Sequence, residues 1–192
     1  MCCVNGRVIV RDLIKDNSSD EFLNCRFDAQ NYDLAMVPDD PYIFFTCGSD
    51  QTIRMLDLRV HLSQASYAFC THPPVLVSSQ ALTTMHVHPL NTNLLLVGRQ
   101  DGVAQVFDRR RMPEIETASR ISVHERREEN WQSGYRDQYD YSMRSVVAQF
   151  QAPSTGRRHM LTSLRYNGTG TEVLASYSGD HMYLFDHDAS SN

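Results

Sequence analysis

Two short stretches of the chain end in an acid followed, two residues later, by an arginine. Asp57-Leu58-Arg59 closes "IRMLDLR", and Asp108-Arg109-Arg110 closes "VAQVFDRR". Arginine presents five donors in a planar fork and can grip a carboxylate bidentately, which lysine cannot. Two such forks at matching places would make a paired positive anchor for acids on another protein. Spacing alone leaves a second reading open, in which Arg59 and Arg110 pair with acids of their own fold or point to water. Other constellations carry less chemistry. His86 and His88 alternate on an extended stretch and share a face, but His88 precedes Pro89 in a turn, where a polar residue is routine. His181 beside Asp180 reads as a hydrogen-bonded turn pair. "NGTGTE" lacks the lysine and the spacing of a phosphate loop, and no G-x-S-x-G occurs. The acids are scattered one per turn rather than paired. The expectation is no catalytic, metal or cofactor site, hence a non-enzyme.

The bulk properties fit one globular unit. The 192 residues are 41% hydrophobic and 21% charged, ordinary values for a folded domain. A net charge of −5, with both signs mixed along the chain, argues against a dedicated nucleic-acid surface. No apolar run approaches the ~20 residues of a membrane helix, and the first residues make a poor signal peptide. The five cysteines, Cys2, Cys3, Cys25, Cys47 and Cys70, are odd in number and include no C-x-x-C pair. Reduced thiols are therefore expected, and with them the nucleus and/or cytoplasm as the compartment.

The elements that must position the Asp-x-Arg ends come from internal repetition. "LAMVPDDPYIFFTCGSDQTIRMLDLR" (34–59), "MHVHPLNTNLLLVGRQDGVAQVFDRR" (85–110) and "LRYNGTGTEVLASYSGDHMYLFDHD" (164–188) align. Each has an alternating strand, a polar turn, an apolar strand, a turn carrying a fixed acid (Asp50, Asp101, Asp180), and a second alternating strand closed by an acid (Asp57, Asp108, Asp186). "NGRVIVRDL" (5–13) matches the final strand and sets Asp12 beside the closing acids. The intervals Asp12 to Asp57 and Asp57 to Asp108 lie near the ~40–45 residues of a WD-type propeller blade; the third is longer. Further strand-like stretches stand at 22–27, 65–69 and 145–150, which makes four strands per unit. The predicted fold is all-β: a partial WD-repeat β-propeller of about three four-stranded blades (34–59, 85–110 and 164–186) plus a blade fragment (5–13). A sandwich of short strands would have no reason to repeat the two acids. Three blades and a fragment leave bare apolar faces. The chain is therefore expected to be part of a longer protein, and marginally stable or aggregating by itself.

Residues 111–144 form one charged insertion. Trp131, Tyr135 and Tyr139 fall at i, i+4 and i+8, one face of a helix, although Gly134 weakens that assignment. A solvated loop and an aromatic element gripping a partner both fit.

The ordered set "DDPYIFFTCGSDQTIRMLDLR", "VFDRRRM", "SVVAQF" and "LTSLRYNGTGTEVLASYSGDHMYLFD" resembles the WD-repeat factors that associate with cullin-4 ubiquitin ligases through the damaged-DNA-binding adaptor protein, most of all the nuclear receptor interaction protein type. The likeness covers roughly residues 34–186, with a break at the insertion. It implies a substrate receptor or scaffold that docks on the adaptor and presents a client protein. Docking in that family uses an aromatic-Asp-x-Arg signature in consecutive blades. Phe107-Asp108-Arg109-Arg110 fits it, with Asp108 and Arg110 as the matched pair. Leu56-Asp57-Leu58-Arg59 fits less well because Leu replaces the aromatic, and Asp12 and Asp186 lack the arginine. The resemblance thus makes Asp57, Arg59, Asp108 and Arg110 candidates for adaptor docking. A generic WD scaffold in transcription or trafficking, with no ligase link, is the alternative. Neither an IQ-type basic helix nor an L-x-x-L-L motif is found in the chain.

Overall fold

The computed structural model describes residues 7–10, 21–24, 29–59, 74–112, 142–153 and 159–187. Apart from a 3-10 turn at Arg109–Arg111 and a short helical turn at 142–143, their regular structure is all strand. Among the described residues four antiparallel sheets follow one another. The first pairs β1 (Arg7–Val10) with β2 (Glu21–Asn24). The second runs β3 (Asn31–Val37), β4 (Asp40–Gly48), β5 (Thr52–Asp57) and β6 (Pro74–Val77). The third runs β7 (Leu82–Val87), β8 (Leu94–Arg99), β9 (Val103–Asp108) and β10 (Val146–Gln151). The fourth holds β11 (Leu161–Tyr166), β12 (Glu172–Tyr177) and β13 (Met182–Asp186). Each sheet is a meander of sequence neighbours, and the sheets stack face to face, as the blades of a partial propeller do.

The sequence explains the local geometry. Tight turns join the second and third strands of each complete sheet, and they need a backbone at positive φ. Gln51 takes φ 64° in one and Gly102 φ 86° in the next. The turn acid organises the hairpin: Asp50 accepts the Thr52 N–H at 3.2 Å and the Thr52 hydroxyl at 2.8 Å. Such side-chain-to-backbone bonds mimic a turn of backbone. Pro74 begins β6, an edge strand, where a missing donor is tolerated. β9 and β10 pair as neighbours although 113–141 intervene. Those intervening residues lie outside the described set, as do 65–69 and Asp12.

Apolar side chains fill the seams. One cluster joins Ala35, Val37, Phe45, Ile53 and Leu76 of the second sheet to Leu82, Met85, Leu95 and Phe107 of the third. Another joins Leu96, Val106 and Phe150 of the third to Leu161, Leu164, Tyr166 and Val173 of the fourth. A smaller one sets Val8 against Phe44 and Leu56. Full burial of such a side chain contributes roughly 1.5–3 kcal/mol. β4 ends in an unbroken buried run and β8 carries one through its middle, because both of their faces are covered there. β12 and β13 alternate instead: Leu174, Leu184 and Met182 share one exposed face, set by the pairings Leu174↔Leu184 and Ser176↔Met182.

Polar links run across the same seams between the first strands of successive sheets. Asp33 accepts the Thr84 hydroxyl and the Met85 N–H, each at 2.9 Å. Thr84 in turn accepts the Leu164 N–H at 3.3 Å. These strands are inner edges, so their outward N–H groups find acceptors on the neighbouring sheet.

Candidate partner-binding site

The two Asp-x-Arg ends have the same local architecture. Asp57 ends β5 and Asp108 ends β9, each paired across to the start of the preceding strand, Asp57 to Ile43 and Asp108 to Leu94. Each carboxylate accepts the backbone N–H two residues on: Arg59 N to Asp57 at 2.9 Å and Arg110 N to Asp108 at 3.0 Å. Each also holds the arginine fork. Arg59 donates Nε at 2.8 Å and Nη2 at 2.7 Å to Asp57. Arg110 donates Nε at 3.1 Å and Nη2 at 2.9 Å to Asp108. The arginine bonds hold both carboxyls below their ordinary range, and the acids push both guanidiniums up. The side chains still reach outward: Arg59 is 50% exposed and Arg110 67%.

The pairing with their own acids satisfies only one side of each fork. A guanidinium has a side edge, Nε with Nη2, and an end edge, Nη1 with the second Nη2 hydrogen. In Arg110 the end edge meets no acceptor among the described residues. In Arg59 the second Nη2 hydrogen reaches Asp40 at 3.1 Å. The Arg59 guanidinium also lies over the Tyr42 ring, 5.5 Å from its centroid.

The middle residue of each blade end, unassigned by sequence reasoning, has a clear place. Leu58 packs against the cluster of Val8, Phe44 and Leu56. Arg109 lies over the Phe45 ring of the preceding sheet at 4.8 Å and donates Nη1 to the Thr92 carbonyl at 2.7 Å. His187, which follows Asp186, packs against Phe150 of the preceding sheet and near His88. Their backbone N–H groups make the same bond: Leu58 to Tyr42 O, Arg109 to Asn93 O and His187 to Thr171 O. The middle residue is thus a wedge against the previous sheet. Burial lowers the pKa of Arg109, which has no acid beside it among the described residues.

His86 and His88 both turn to the fourth sheet. His86 Nδ1 accepts the Tyr166 N–H at 3.1 Å. His88 Nδ1 accepts the Leu90 and Asn91 N–H groups at 3.1 and 2.9 Å, and its ring stands 4.7 Å from that of Tyr166. Burial, the first cause in each case, lowers both pKa values; Arg165 adds to it at His86 and His187 at His88. His181 bonds Asp180 at 2.8 Å, and Tyr183 donates to the same carboxylate at 3.1 Å. Among the described residues no group of three or more His, Cys, Asp or Glu is placed to hold a metal ion. Trp131, Tyr135 and Tyr139 lie outside the described residues.

No family model matches the chain. It is 28% identical over 193 residues to "DDB1- and CUL4-associated factor 6" of Mus musculus, an alignment spanning 96% of this chain and 19% of that protein. The Homo sapiens protein of the same name gives 28% over the same span and 20% of its length. Protein ALTERED SEED GERMINATION 2 of Arabidopsis thaliana is 25% identical over 173 residues, 80% of this chain and 20% of that protein. The chain spans about a fifth of the length of these relatives. Among solved structures, the WD40 domain of Toxoplasma gondii coronin superposes with a TM-score of 0.56 at 12% identity, covering 90% of this chain and 35% of that one. A chain of a Mitotic Checkpoint Complex gives 0.58 at 13%, covering 97% and 45%. These neighbours show a partial WD-repeat β-propeller. The curated relatives bear out the resemblance to WD-repeat factors associated with cullin-4.

Proposed function

We propose that this chain is the propeller portion of a substrate-receptor or scaffold subunit of a cullin-4 RING ubiquitin ligase. It docks on the adaptor DDB1 through the Asp-x-Arg ends of two consecutive blades and recruits a client protein. The observation that carries this reading is the repeated geometry of Asp57–Arg59 and Asp108–Arg110. Each acid fixes its arginine by a backbone bond and a two-point fork, yet leaves the guanidinium at the surface. A pre-oriented guanidinium binds a carboxylate with little loss of side-chain entropy. The likeness to factors named for DDB1 and CUL4 supports the identity of the partner. The subunit acts as a protein-interaction module and not as a catalyst, works in the nucleus or cytoplasm, and needs neither nucleic acid nor membrane.

The test is capture of the full-length protein by purified DDB1. Arg59→Ala combined with Arg110→Ala is expected to reduce capture strongly, and undiminished capture refutes the docking role. One observation favours the alternative of a generic WD scaffold without a ligase link: both arginines already hold acids of their own blades, which a purely structural role would explain. Loss of stability without loss of capture in the double variant is the outcome that reading requires.

A further inference from the structure

The two blade ends differ in what surrounds the arginine, and the difference comes from the strand before. The residue whose carbonyl accepts the middle N–H is Tyr42 in the second sheet, Asn93 in the third and Thr171 in the fourth. Of these three sheets the second alone places an aromatic there, and Tyr42 is 52% exposed. Two residues earlier the second sheet carries Asp40, where the third carries Asn91. Asp40 accepts the Tyr42 N–H at 3.1 Å through one oxygen and meets Arg59 at 3.1 Å through the other. Arg59 therefore sits between two carboxylates and over an aromatic face. Its end edge is half used and its charge is balanced locally. Among the described residues Arg110 has one carboxylate partner, a second cation nearby in Arg111 at 3.8 Å from the same acid, and a whole end edge open.

We propose that the two ends do different work: Arg110 receives a carboxylate of the partner, while Arg59 is a positioning residue that holds Tyr42 as an aromatic contact. This rests on the DDB1-docking reading and sharpens its chemistry. The partner surface that fits carries an acid to meet the Arg110 end edge and, beside it, an apolar or aromatic side chain to cover Tyr42. Tyrosine suits this role because it offers large contact area for the loss of few rotatable bonds, and a cation held against its ring keeps it in one orientation. A carboxylate added to Arg59 would have to displace Asp40 or accept one donor instead of two.

The experiment measures the dissociation constant of the full-length protein for purified DDB1, with thermal melts of every variant alongside. Arg110→Ala and Arg110→Lys are both expected to weaken binding about tenfold or more, since lysine cannot make the two-point contact. Tyr42→Ala is expected to weaken it by a similar factor and Tyr42→Phe to leave it near the parent value. Arg59→Ala should weaken binding alone but add less than twofold on the Tyr42→Ala background, because the two residues act as a unit. Unchanged binding by Tyr42→Ala overturns the proposal, as does a full additional loss from Arg59→Ala on that background. Failure of the parent protein to bind DDB1 overturns the docking reading itself, and the proposal with it. All these side chains are at the surface, so unaltered melts keep the binding results interpretable.

Discussion

The Asp33 carboxylate of the second sheet accepts the Thr84 hydroxyl of the third at 2.9 Å, and Thr84 accepts the Leu164 N–H of the fourth. Three sheets are thereby joined by one polar thread along their inner strands. Removing its first member leaves the Met85 N–H without its acceptor beside a fully buried side chain. Asp33→Ala is expected to destabilise the chain by about 1–3 kcal/mol, the cost of an unsatisfied buried donor. Urea unfolding checks this. Thr84→Val should also destabilise, and the double variant should cost less than the two separately.

Arg109 tests the wedge. Arg109→Ala forfeits the stacking on Phe45 and the bond to the Thr92 carbonyl. A loss of about 1–2 kcal/mol is expected, given the usual worth of a partly desolvated cation over a ring and of a charged hydrogen bond. Arg109→Leu, which installs the residue found at position 58, should recover part of it. A melt of Arg109→Ala that matches the parent would show the wedge to be idle.

The histidines give the seam between the third and fourth sheets a pH dependence. Both use Nδ1 to accept backbone N–H groups, so a proton there replaces attraction by donor-to-donor conflict. Their folded pKa values lie below the ordinary 6.5. The unfolded chain therefore binds more protons once pH falls below that value, and stability falls as pH drops through it toward the folded values. His86 faces Arg165, Asp33 and Tyr166, and His88 faces His187 and Tyr166. A falling melting temperature between pH 7 and about 5 is expected. His86→Gln with His88→Gln should flatten it. Asp57, Asp108 and Asp180, whose pKa values are lowered, lose their contribution in a more acid range.

Gly170 sits against the same seam at φ 77°, and a Cβ there would fall 2.1 Å from the His88 ring. Gly168, two residues away, has open space around it. Gly170→Ala is expected to destabilise by roughly 1–3 kcal/mol from backbone strain, with the ring clash adding to it. Gly168→Ala should be near neutral. Equal effects in paired denaturation curves would contradict the geometry.

The propeller was legible because its punctuation repeats. Asp50 and Asp57 recur as Asp101 and Asp108, and a turn acid must stand at a fixed distance from the strand it serves. The fourth strand of the second sheet was harder. It lies at Pro74–Val77, four residues opened by a proline, and its pairing with Arg54, Ile53 and Thr52 is a tertiary fact with no periodic trace. Arg59 and Arg110 were visible as candidates, whereas their capture by Asp57 and Asp108 depends on side-chain geometry that spacing left open. The wedge was not legible. Leu58, Arg109 and His187 share neither charge nor hydropathy, and what they have in common is only the neighbour they press against.

That lack of chemical likeness bears on how such a surface changes over generations. In each Asp-x-Arg end the acid serves its own turn, the middle residue serves the adjoining sheet, and the arginine alone faces outward. Three demands fall on three separate codons. A lineage can therefore exchange the outward residue, and so gain or lose a binding partner while inheriting the packing intact.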